Sequence, residues 1–127
     1  MGTLGGKRIL LVDDDQHLVI TLGDYLTSKG FDVTRALNGR EALRALETLK
    51  PDLILMDIMM PGMDGGDVAQ AIRSNPRLAR VPIVYLTAAV SESEVRAHDG
   101  LIGGEPFIAK PVDPKELMEQ INRYLAG

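Results

Sequence analysis

The chain contains no cysteine. A disulfide framework and a thiolate metal site are therefore both excluded, and a cytoplasmic setting is expected. Its apolar runs are no longer than a β-strand and are broken by charge, far short of the roughly 20 residues of a membrane helix. No membrane partner is expected. Basic runs are missing too, as are basic patches interleaved with aromatics. With 14 Lys and Arg against 18 Asp and Glu the net charge is −4, so the electrostatic footprint of a nucleic-acid binder is absent. Nitrogen donors are scarce, with only His17 and His98. No glycine-rich turn follows the first apolar run, which argues against a dinucleotide or flavin site.

What is present suits one ordinary globular domain. The 127 residues are 45% apolar and 25% charged, typical of a packed protein. A chain of this size buries roughly two thirds of its unfolded surface, enough for one core. The opening Met1-Gly2-Thr3-Leu4-Gly5-Gly6 lacks the charged and apolar regions of a signal peptide. It is expected to be a flexible leader (1–6), with the folded domain spanning 7–127.

The most informative stretch is Leu53-Ile54-Leu55-Met56-Asp57-Ile58-Met59-Met60-Pro61-Gly62. Four apolar residues read as a buried strand that ends on a lone carboxylate before Pro-Gly turns the chain. An ionised Asp there is costly unless its charge is compensated.

Four further strands are expected: residues 8–12, 31–36, 81–86 and 107–109. Helical spacing follows each strand. Leu18, Leu22, Tyr25 and Leu26 mark one face of 16–29, and Gly30 stops it. Ala42, Leu46 and Leu49 mark 40–50. Asp64 N-caps the next helix, with Asp67 three residues on and Val68, Ala71 and Ile72 inside. A weaker helix opens at Ser91-Glu92-Ser93-Glu94 and is cut short by Asp99-Gly100 and Gly103-Gly104. Those glycine breaks read equally as turns or as a loosely held segment. The last helix begins at Asp113-Pro114 and turns Leu117, Ile121, Tyr124 and Leu125 inward.

Five strands alternating with five helical patterns predict an α/β fold, a doubly wound (βα)5 parallel sheet. The first, third and fourth strands are almost wholly apolar, as befits strands covered on both faces. The second is partly polar and the fifth short, which suits edges. The order 2-1-3-4-5 follows, and ligands bind beyond the strand carboxyl ends near the switch point.

The strands end on Asp13 and Asp14, Asp57, Thr87 and Lys110. Carboxylates gathered there would repel unless a cation sat among them. With hard oxygens as ligands, Mg²⁺ is the natural occupant. Such a site has the parts of a phosphoryl acceptor: a nucleophilic carboxylate, a cation, a lysine and a hydroxyl. Asp15 reads as a helix cap, and His17 as a solvated helix residue.

From Lys7 to Leu125 the sequence resembles the receiver domain of bacterial two-component response regulators. The resemblance is carried by Val12-Asp13-Asp14-Asp15, Met56-Asp57-Ile58-Met59-Met60-Pro61-Gly62-Met63-Asp64-Gly65, Leu86-Thr87-Ala88 and Lys110-Pro111. It implies a flavodoxin-like fold in which Asp57 accepts a phosphoryl group from a histidine kinase or histidine phosphotransfer protein. It further implies that Asp14 binds Mg²⁺ directly, Asp13 binds it through water, and the Met59 carbonyl is a third protein ligand. Thr87 and Lys110 would contact the phosphoryl group, and Phe107 falls at the aromatic switch position. The face made by the fourth helix, fifth strand and fifth helix would engage a downstream target or output domain, with dimerisation on phosphorylation as one outcome. The Lys110-Pro111 bond is often cis in such domains.

On this reading the protein is a signalling phosphoacceptor and not a turnover enzyme. A haloacid-dehalogenase-type phosphatase needs a second Asp two residues past the nucleophile, where Met59 stands. A receiver-like docking module that takes no phosphoryl group is disfavoured, because every acceptor residue is present. Met59 and Ala89 flank the site without polar side chains to position water, so a long-lived phosphoryl state is expected.

Overall fold

The computed structural model describes residues 6–88, 101–102 and 105–125. In chain order the elements are β1 (Arg8–Val12), α1 (Gln16–Ser28), β2 (Asp32–Ala36), α2 (Gly39–Ala45) and β3 (Leu53–Asp57). There follow α3 (Gly65–Arg73), β4 (Ile83–Thr87), β5 (Leu101–Ile102), β6 (Glu105–Ala109) and α4 (Pro114–Leu125).

One sheet runs β2-β1-β3-β4-β6-β5. Its first five members are parallel neighbours, so the parallel strands take the expected order 2-1-3-4-5. The two-residue β5 adds an antiparallel edge to β6. It was not foreseen: two residues carry no alternation from which a strand can be read.

Successive strand residues face opposite sides, and both sides are covered. Leu10, Val12, Ile54, Met56, Tyr85 and Phe107 share one core cluster with Ala42 of α2 and Val68 and Ile72 of α3. Ile9, Leu11, Leu53, Leu55, Val84, Leu86 and Ile108 share the other with α1 and with Leu117 and Ile121 of α4. Burial on two faces is why β1, β3 and β4 are continuous apolar runs; each buried Leu or Ile contributes about 1.5–3 kcal/mol relative to exposure.

The helices start where their caps stand. Asp15 accepts from the Leu18 N–H at 3.2 Å. Asp64 and Asp67 form a reciprocal capping box, with bonds of 3.0 and 3.3 Å. Several inner faces are rotated from expectation. In α3 the buried positions are Gly65, Val68, Ala69 and Ile72, so the stripe leans toward Ala69 and leaves Ala71 exposed. In α1, Val19 and Gly23 are buried while Leu18 and Tyr25 are half-buried. Helix α2 ends at Ala45, before the expected 50, and Leu46 caps it while staying buried. The segment 91–100, Gly103-Gly104 and most of the expected leader lie outside the described residues. No helix among the described residues is long and apolar enough to cross a membrane.

Candidate functional site

The site forms where β1, β3, β4 and β6 end along one edge of the sheet. Parallel pairing of β1 with β3 aligns Val12 with Met56, so Asp13 and Asp57 emerge side by side. Pairing of β3 with β4 places Asp57 opposite Leu86, one residue before Thr87. The Lys110 N–H donates to the Thr87 carbonyl at 2.8 Å and ties the fourth contributor to the third.

The side chains of Asp13, Asp14, Asp57 and Lys110 are brought together. Carboxylate oxygens of Asp13, Asp14 and Asp57 lie within 4.8 Å of one another. Asp13 is wholly buried and Asp14 exposed, with Asp57 only 6% exposed. Lys110 Nζ donates to Asp13 Oδ2 at 2.7 Å and stands 3.7 Å from Asp57 Oδ1. Asp13 is held further by the Asp15 N–H, which donates to its Oδ1 at 2.9 Å. Thr87 is buried at the end of β4, one residue past the strand partner of Asp57. Phe107 is buried too, opposite Tyr85 on the neighbouring strand. The Lys110–Pro111 bond is cis.

The electrostatics favour the protonated form of Asp57 and the charged form of Lys110. Burial, reinforced by the negative charge of Asp13, pushes the Asp57 carboxyl up from 3.8 to about 6. Lys110 and the Met59 backbone N–H oppose that rise. For Lys110, burial favours the neutral amine, but the bond to Asp13 and the charges of Asp13, Asp57 and Asp15 outweigh it. Its pKa is raised on balance, so the side chain stays cationic at neutral pH.

The donor set suits a hard divalent cation. Three carboxylates meet with no sulfur or imidazole among the cluster-forming residues, and one lysine cannot neutralise all three. Oxygen-only ligands with an open, solvent-facing side at Asp14 match the few-carboxylate, water-rich habit of Mg²⁺.

Two contributors were not anticipated from sequence. One is the Met59 N–H, which faces Asp57; backbone groups leave no trace in residue identity. The other is Gly65, which packs on the Asp57 backbone. Its only signal is a glycine pair at a helix start, where glycine weakens the helix. Asp15 serves as the α1 cap, as expected. Ala89 lies outside the described residues.

Comparison with known proteins gives concordant findings. Residues 9–122 match the family described as the response regulator receiver domain. The chain is similar to the DNA-binding response regulator MtrA of Mycobacterium tuberculosis, 42% identical over 120 residues covering 94% of this chain and 50% of that protein. It thus spans about half the length of the curated relatives it matches. Among solved structures, it is similar to the receiver domain of a Pseudomonas aeruginosa sensor histidine kinase with a magnesium ion coordinated in its active-site cleft. That match has a TM-score of 0.84 and 32% identity, covering 97% of this chain and all (100%) of the other. Chemotaxis response regulator CheY4 of Vibrio cholerae superposes with a TM-score of 0.82 at 28% identity, covering 94% and 99% of the two chains.

Proposed function

Since the chain belongs to the response regulator receiver domain family, we propose that it is a phosphoacceptor switch in which Asp57 takes a phosphoryl group from a phosphohistidine protein. The observation that carries this reading is the meeting of Asp13, Asp14 and Asp57 within 4.8 Å, with Lys110 Nζ 2.7 Å from Asp13 and 3.7 Å from Asp57. In the transfer, an Asp57 carboxylate oxygen attacks phosphorus and forms a new P–O bond. The P–N bond to the donor imidazole breaks, and the ring keeps its electrons, leaving neutral when its second nitrogen carries a proton. Lys110 and the Met59 N–H favour the ionised nucleophile against the burial that opposes it. Lys110 then meets the phosphoryl oxygens, and the Thr87 hydroxyl donates to one of them. Mg²⁺, held by Asp14, Asp57 and the Met59 carbonyl and through water by Asp13, would supply the remaining positive charge.

The protein donor also has a seat. A groove of about 610 Å³ between α1 and the start of α4 is lined by Leu18, Leu22, Tyr25, Pro111 and Val112 and reaches Lys110. This largely apolar surface beside Lys110 is where the reading seats the histidine kinase or histidine phosphotransfer protein.

Read-out runs through Thr87 and Phe107 to the surface of β6 and α4. Phe107 is 8% exposed in this structure, already inward beside Tyr85. On this reading phosphorylation favours the buried packing of Phe107 over an exposed one. The partner on that surface is a downstream protein or an output domain, and one consequence to measure is dimerisation with beryllofluoride. DNA binding is stated of MtrA as a whole; the net charge of −4 argues against nucleic acid as a partner of this domain. The kinase partner sets the site of action in the cytoplasm. Met59 is 65% exposed and places no polar side chain near Asp57 to hold water. The phosphoryl state is therefore long-lived, with no turnover of external esters; loss of label within seconds would contradict this.

The test is incubation with acetyl phosphate and Mg²⁺ followed by intact-mass measurement. One acid-labile phosphoryl adduct is expected, absent from Asp57→Ala. No adduct with either acetyl phosphate or a phosphorylated donor protein, or an adduct that survives the substitution, overturns the reading.

A further inference from the structure

Three glycines lie in or beside the loop that follows Asp57, and each is there for a different reason. Gly62 has φ of +79° with open space around it, a turn glycine. Gly66 would bring a Cβ to 3.3 Å from Asp64 Oδ1, the capping oxygen of α3, a contact that a small side-chain adjustment relieves. Gly65 is unlike both. A Cβ there would lie 2.5 Å from the Asp57 carbonyl oxygen and 2.9 Å from the Ile58 Cα. Those are backbone atoms of the acceptor strand, which no rotamer change can remove. Its φ lies outside the left-handed region, so proximity and not conformation demands glycine.

The contact is also bonded, since the Gly65 N–H donates to the Ile58 carbonyl at 2.8 Å. The first residue of α3 thus rests directly on the backbone of Asp57 and Ile58. The intervening loop, 58–64, is closed at its base. That loop carries the Met59 N–H that faces the Asp57 carboxylate. Its far side is braced by Gly39, where a Cβ would stand 3.0 Å from the Met63 carbonyl oxygen.

We propose that Gly65 is a positioning residue for the phosphoacceptor: by letting α3 seat on the Asp57–Ile58 backbone, it fixes the loop that presents the Met59 backbone to the Asp57 carboxylate. A methyl at this position pushes α3 and the strand end apart, so the Met59 amide and carbonyl leave their places together. This rests on the phosphoacceptor reading for its consequence in transfer, but not for its consequence in geometry.

The experiment compares wild type, Gly65→Ala and Gly66→Ala. In metal-free protein, the Met59 amide resonance is followed by ¹H–¹⁵N spectroscopy. Mg²⁺ affinity is then measured by calorimetry, and phosphorylation by acetyl phosphate is separated into maximal rate and half-saturating concentration. Gly65→Ala is expected to displace the Met59 resonance before any ligand is added and to weaken Mg²⁺ roughly 10-fold to 100-fold. It is expected to lower the maximal rate on the order of 10²-fold with little change in half-saturation. Gly66→Ala should leave all three near wild type.

An unmoved Met59 resonance with unchanged Mg²⁺ affinity in Gly65→Ala overturns the proposal, whatever its melting temperature. So does a Gly65→Ala protein that stays unfolded even in concentrated sucrose, which would make Gly65 a folding determinant only. Wild type that takes no phosphoryl group removes the phosphoacceptor reading, while the metal-free Met59 shift still decides the role of Gly65.

Discussion

The charge of Asp57 works against the fold that buries it. Burial, with Asp13 alongside, raises its carboxyl from 3.8 to about 6. Between those values the folded protein binds more protons than the unfolded chain. Stability therefore falls as pH rises through that window, and it levels off above about 6. Ionising Asp57 costs the metal-free fold on the order of 2–3 kcal/mol at neutral pH. Asp57→Asn should accordingly be more stable than wild type to urea at neutral pH without metal, with the difference vanishing in acid below 3.8. Added Mg²⁺ should raise the wild-type midpoint and leave that of the variant nearly unmoved. Lys110 acts in the opposite sense on the same group. Removing its charge in Lys110→Met should lift the Asp57 carboxyl above about 6, read from the carboxyl carbon resonance during a pH titration. A downward movement would show that the lysine does not face Asp57 in solution.

Among the elements, α3 works hardest. Its N-terminus abuts the Asp57–Ile58 backbone, and its C-terminus holds the far side of the sheet through Arg73. That guanidinium pairs with Glu105 at the start of β6 through contacts of 2.8 and 2.9 Å. It also donates to the Ala79 and Val81 carbonyls at 2.9 and 2.7 Å. The four contacts anchor both the connection into β4 and the strand that carries Phe107. Arg73→Ala would strand a largely buried carboxylate and two carbonyls, a cost of about 2–4 kcal/mol. The expected result is a lower urea midpoint at an unchanged denaturant slope. None of this was visible beforehand, because Arg73 and Glu105 are 32 residues apart and neither stands in a motif. The rotation of the α3 stripe toward Ala69 escaped notice for a related reason. Alanine at 69 and at 71 fits either flank, and only contact with the sheet distinguishes them.

For the molecule as a whole, the sheet sets a gradient of stability from centre to edge. Strands β1, β3 and β4 are flanked on both sides, and their core residues are nearly solvent-free. β2 has an open edge and an exposed Arg35. Among the described residues, only the two-residue β5 lies beyond β6. Native-state amide exchange should therefore be slowest in β1, β3 and β4, opening only with global unfolding, and earlier in β2 and β6. Uniform protection across all five parallel strands would contradict that gradient. Under the proposed switch, β3 with Asp57 stays rigid while the β6 edge near Phe107 opens at lower cost.

The parallel sheet could be read from residue order alone, because strands buried on both faces must be apolar throughout and helices between them must be amphipathic. Asp13, Asp14, Asp57, Thr87 and Lys110 could be grouped for the same reason: parallel strands end at one edge, so groups at strand ends become neighbours whatever lies between. Contacts between backbones had no such code. The seat of Gly65 on Asp57, the Met59 N–H and the Arg73 bridge depend on how closely elements approach, a distance that packing sets and that residue identity does not record.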